Sequence, residues 1–132
     1  MNHELFIQSE ILELLKANVP LQAILGDRIW DTPPGEAGHP HLTLGPCESR
    51  PAPADGDSVE HLLTLTVVSS FQGTEEAKAA VSAIRRAVND ARPENDELRA
   101  VSLSVRFSDV WRSPAGRLTF AVLRVRAVTE PI

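Results

Sequence analysis

Tyrosine is absent from this 132-residue chain and cysteine occurs once, at Cys47. A lone thiol excludes an internal disulfide and any all-cysteine zinc site, so Cys47 reads as a spectator in a loop. Apolar runs stop after a few residues, far short of a membrane span, and no membrane partner is expected. Met1-Asn2-His3-Glu4 lacks the basic start of a secretory signal, so the chain is expected to remain in the cell that makes it. Missing too are a glycine-rich phosphate loop, a GxSxG elbow, an HExxH pair and paired zinc-ligand cysteines. The expectation is a protein without catalytic residues, cofactor or metal. Positive charge is scarce in one half: residues 1–66 carry ten acidic and three basic side chains, residues 67–132 eight and ten. With a net charge of -5, free nucleic acid is a poor primary partner, because binding it needs a concentrated basic patch.

What is present fits one domain of ordinary globular composition. Ile7, Ile11, Leu14 and Leu15 repeat at helical spacing between about residues 4 and 18, and Pro20 forces a break. Leu21, Ile24 and Leu25 share a second, short helical face that Gly26 ends. Arg28-Ile29-Trp30 begins something extended. The interval 33–57 then holds six of the ten prolines, and only His41 to Leu44 alternates as a strand there. Residues 46–57 read as a mobile loop, with Pro46, Arg50, Pro51, Pro53, Asp55 and Asp57 its partner-contacting candidates.

From Ser58 to Ser70 the chain alternates as a strand, with His61, Leu63, Leu65 and Val67 opposed to Leu62, Thr64, Thr66 and Val68. Apolar groups on both faces suit a sheet whose inner face meets helices and whose outer face is either only partly wet or covered by a neighbouring subunit. Thr74 is a candidate N-cap for a helix whose stripe of Ala77, Val81, Ile84 and Val88 is predicted to run over 75–91. Strands follow over Val101 to Phe107 and Leu118 to Val128, joined through a turn at Ser113-Pro114-Ala115-Gly116. The order predicts an α+β domain: a mostly antiparallel sheet of about four to five strands with two main helices on one face.

His39 and His41 flank Pro40 without a third ligand at fixed spacing, so they read as surface histidines. His61 falls on the apolar side of its strand and reads as a hydrogen-bonded buried or interface imidazole. Asp55 and Asp57 read as solvating charges. Trp30 is expected at the rim of the core, whereas Trp111, beside Arg112, is either core or an interface anchor. Arg106, Arg124 and Arg126 stand either as solvent-facing charges or as one cationic strip, which with Trp111 and Arg112 makes the candidate assembly or channel surface.

The passage from Leu21 to Gly45 carries a family resemblance. Leu21, Leu25, Gly26, Arg28, Ile29, Asp31, Pro34, Pro40, Leu44 and Gly45 occupy the places of a pattern that resembles the tail-terminator, or tail-completion, proteins of long-tailed bacteriophages and gene transfer agents. His41 departs from it, since members usually carry an aromatic residue there. The resemblance implies a subunit of a hexameric ring that caps the tail tube, stops its polymerisation and joins the tail to the head. The implied partners are further copies of the chain, the tail tube protein, a head-tail connector or stopper protein, and DNA passing without sequence specificity. The implied location is the head-proximal end of a virion tail, after synthesis in the bacterial cytoplasm. A different class, a small-ligand-binding or regulatory domain acting as monomer or dimer, would require a deep apolar pocket with converging polar groups.

Overall fold

The computed structural model describes residues 2–52 and 56–132. Helix α1 spans His3–Ala17, capped by Asn2, whose side chain accepts the Leu5 N–H at 2.9 Å. Asn18 ends α1 and starts α2, Val19–Leu25, by accepting the Leu21 N–H at 2.9 Å. Pro20 therefore lies in the first turn of α2, where its missing donor has no intrahelical role. Strand β1, Ile29–Trp30, leads to β2, His41–Pro51, and β3, Val59–Ser69. Helix α3, Glu75–Val88, then precedes β4, Leu98–Arg112, and β5, Thr119–Pro131.

The five strands form one sheet in the order β1-β2-β3-β5-β4. Pairing is antiparallel except for β1 on β2, where Ile29 lies beside Leu42 and Trp30 beside Thr43. All three helices pack on one face. Phe6, Ile7, Ile11 and Leu15 of α1, Leu21 and Leu25 of α2, and Ala77, Val81, Ile84 and Val88 of α3 share one core with Leu63, Leu65, Leu123 and Val125. The expected α+β layering is therefore observed, with the short α2 as a third helix.

Several boundaries differ from the sequence reading. β2 continues past Leu44 to Pro51, so Pro46, Arg50 and Pro51 belong to a strand and not to a mobile loop. The reason is that a register shift between Leu44 and Cys47 absorbs Gly45 and Pro46, while β1 covers only the first part of β2's outer edge. Ala52 donates its N–H to Ser58 O at 2.9 Å across β3, so by alternation the Pro51 nitrogen faces away from β3. A proline on that edge removes no ladder bond. Asp57 is exposed, whereas Pro53 and Asp55 lie outside the described residues.

α3 stops at Val88, earlier than expected, because Asn89 and Asp90 turn away to run along β4. Asp90 takes a positive φ of 64° and donates its N–H to Leu103 O at 3.0 Å. Thr74 stands at the N-cap of α3 but makes no side-chain cap bond, its own backbone being helical. β4 is longer than predicted at both ends, and two register shifts, at Ala100/Ser102 and Val105/Phe107, broke the alternation that marks a strand.

Candidate functional site

The sheet face opposite the helices is bare among the described residues. Residues that alternate with the core set line it: Glu60, Leu62, Thr64, Thr66 and Val68 of β3 lie across from Val128, Arg126, Arg124, Val122 and Phe120 of β5. On β4, Trp111 lies beside Phe120, Asp109 beside Val122, and Phe107 beside Arg124. Phe107 is 51% exposed, Trp111 42% and Leu62 41%. These side chains share one face of the sheet, on β3 and β4, and give it apolar contact area.

The structure divides the predicted arginine strip. Arg126 Nε lies 2.6 Å from Glu60 Oε2, and Arg50 Nε lies 2.5 Å from Glu60 Oε1. Glu60 is only 7% exposed, and its cover comes from these two side chains at the sheet surface rather than from depth in the core. Hydrogen bonds from Arg50 first, and Arg126 next, hold its carboxyl below the usual carboxylate range, against the opposing pull of desolvation. Arg126 and Arg50 thus form one clamp with Glu60. Arg124 and Arg106 make no ion pair among the described residues; Arg124 borders a concavity of about 420 Å³ with Phe107, and Arg106 is exposed at the β4 register shift.

Trp111 stacks on Phe120, ring centres 5.7 Å apart, on the bare face, so it is not part of the helix-side core. Its neighbour Arg112 points to the other side. There its guanidinium donates to the carbonyls of Phe71 (2.8 Å) and Gly116 and to Thr119 Oγ1 (2.9 Å), pinning the loop before α3 to the β4–β5 turn. Arg112 is a structural clamp within the fold. Trp30, as expected, sits half-buried at the rim, 5.8 Å from the His41 ring. His39 and His41 stack at 5.2 Å.

Under the sheet, His61 is fully buried, with Nδ1 2.7 Å from Ser49 Oγ and Nε2 2.8 Å from Thr129 Oγ1. His3 Nδ1 reaches the same Thr129 hydroxyl at 2.7 Å. The sequence reading of His61 as a hydrogen-bonded buried imidazole is observed, but Ser49 and Thr129 were missed, since nothing local marks a hydroxyl that meets a histidine 12 or 68 residues away. Burial lowers the His61 pKa; Glu4 partly offsets this and His3 adds to it. The serine and imidazole make no triad here, because the third group is a neutral hydroxyl where an orienting carboxylate would be needed. Burial pushes the Cys47 thiol up, which disfavours the reactive thiolate. Among the described residues no three His, Cys, Asp or Glu side chains converge as metal ligands, and no helix is long and apolar enough to cross a membrane.

A sheet sealed by helices on one face and carrying exposed aromatics on the other, with two arginines that make no ion pair among the described residues, defines a small α+β domain with one open face. Comparison with known proteins sharpens that class. The family described as "Tail completion protein gp17" matches residues 9–130; the chain belongs to that family, as the Leu21–Gly45 pattern led one to expect, and is a structural protein of a phage-type tail. Among solved structures, a chain described as "Virion of native gene transfer agent (GTA) particle" is similar over 94% of both chains, with a TM-score of 0.84 and 25% identity. No curated protein matches the chain.

Proposed function

We propose that the protein forms a hexameric ring on the last ring of the tail tube, ends tube polymerisation and presents the surface to which the head connector docks. The observation that carries this reading is the match along nearly the whole chain to both the tail-completion family and a chain from a gene transfer agent virion. The location is accordingly the virion tail, at its head-proximal end. The action is steric: a head-to-tail contact repeated by a rotation that divides a full turn closes into a ring and leaves an axial channel for DNA.

The bare sheet face supports this role. Phe107 and Trp111 supply apolar contact area, while Arg106 and Arg124, without an ion pair among the described residues, supply charge that faces either an acidic neighbour or passing phosphates. Among the described residues of the predicted contact loop, Pro46, Pro51 and Asp57, with the exposed part of the Arg50 side chain, are available to the tube or connector. Solution mass over a concentration series, with and without tube protein, tests the reading. The expected result is a hexamer that either forms alone or is templated by tube ends, with tubes of limited length. A monomer at all concentrations, with tube growth unaffected, would refute it.

A further inference from the structure

β4 is an edge strand whose free side is covered over only half its length. Residues after α3 cover the first half: Ala100 N–H donates to Pro93 O at 2.9 Å, Asp90 N–H to Leu103 O at 3.0 Å, and Val105 N–H to Asn89 Oδ1 at 2.7 Å. The second half begins at the register shift between Val105 and Phe107. Ser113 N–H donates across to Leu118 O at 2.8 Å, so alternation turns the backbone groups of Ser108, Val110 and Arg112 outward. Among the described residues, none of these backbone groups has a partner in the edge direction.

The side chains at this open edge differ from one face to the other. On the helix side, Arg85 of α3 reaches the edge and donates to Ser108 Oγ. On the bare side stand Phe107 and Trp111, both exposed, with the exposed Asp109 between them, so at the edge this side adds no cation for an acidic chain and offers its apolar area at the two aromatic rings. An extended segment laid against this edge would present its alternate side chains to these two environments in turn. We propose that the second half of β4 accepts a strand from a partner protein, and that this strand alternates acidic residues, facing Arg85, with aliphatic residues, packed beside Phe107 and Trp111. Main-chain bonds supply affinity in such strand addition, and the alternating side chains supply selectivity. Arg106, exposed at the mouth of the edge, adds attraction for the acidic chain.

The probe is a short capped peptide alternating glutamate with valine, and its control has lysine in place of glutamate. Titrated into the intact protein, the glutamate peptide is expected to protect the Ser108, Val110 and Arg112 amides from hydrogen exchange. It should bind roughly tenfold or more tightly than the lysine peptide at low salt. Val110→Pro removes one outward donor from the edge and should abolish binding. Arg85→Glu, at an exposed position and with the fold checked by its melting temperature, should reverse the preference between the two peptides. Equal binding of both peptides, protection elsewhere on the sheet, or unchanged binding by Arg85→Glu would overturn the proposal. So would self-association that Val110→Pro abolishes without peptide, because the edge would then belong to a second copy.

Discussion

The two faces of one sheet are built from the same strands, yet alternate residues give them opposite characters. Leu63, Leu65 and Val67 on β3, with Ala121, Leu123 and Val125 on β5, point to the helices and are buried. Thr64, Thr66, Val68, Val122 and Arg124, one position away on the same strands, point to solvent and remain partly or fully exposed. The covered face is aliphatic because helices supply matching apolar stripes. The bare face mixes threonine, aromatics and arginine because it must tolerate water in the free subunit and still offer contact area. On the proposed reading, stability and association fall to opposite parities of one pattern, so a substitution's effect is forecast by its parity.

The largest effect is expected at the centre of the covered face. Ile84 is fully buried between α3 and the sheet, so Ile84→Ala should cost about 2–5 kcal/mol through lost transfer energy and the cavity left behind. A chemical denaturation midpoint that does not move would show that the helix stripe is not the core. Next comes the polar inclusion on this same side. His61→Leu should cost about 1–3 kcal/mol at neutral pH by removing a partner from Thr129 and Ser49.

The same histidine makes a pH prediction. Its folded pKa is depressed, so its contribution is complete above the ordinary value of 6.5 and is lost as pH falls towards the folded value. The wild-type melting temperature should therefore drop on acidification below about 6.5, and His61→Leu should flatten that dependence. A slope that survives in that variant would show that the buried imidazole is not its source.

Much of this parity was legible in the chain. The alternation of His61 to Val67 against Leu62 to Val68, and the α3 stripe, follow from periodicity alone. The Glu60 clamp was not, because it joins Arg50, Glu60 and Arg126 from three strands, and sequence spacing carries no record of which strands lie adjacent. Nor was the strand character of residues 46–51, since Pro46 and Pro51 argue against a ladder unless the edge is known to be free. Arg112 was read with its neighbour Trp111 as surface. Consecutive strand residues face opposite sides, and the structure sends Arg112 inward to the loop carbonyls.

Glu60 tests whether the bare face also contributes to folding. Its depressed pKa means that the clamp's contribution is present above the ordinary carboxylate value of 4.5 and fades as pH falls below it. Glu60→Gln should lower the neutral-pH melting temperature by less than Ile84→Ala does, and wild type and Glu60→Gln should converge in strong acid. Persistent separation at low pH would assign the loss to packing and not to charge.

The smallest folding effect is expected at Arg124. Arg126 cannot be reversed without placing two carboxylates at Glu60, so a double reversal of Arg124 and Arg126 would disturb the fold as well as any interface. Arg124, exposed and without an ion pair among the described residues, is the clean probe. Arg124→Glu should leave stability within about 0.5 kcal/mol, as for a surface change away from any structural feature. In assembly it should act strongly: loss of ring formation, or tails that fail to join heads, would place Arg124 at a subunit or connector contact. Fully assembled particles that no longer deliver DNA would place it on the channel wall, where the reversed charge repels phosphates. Normal assembly with normal delivery would break the comparison, since the bare face would then carry a cation that serves neither folding nor contact.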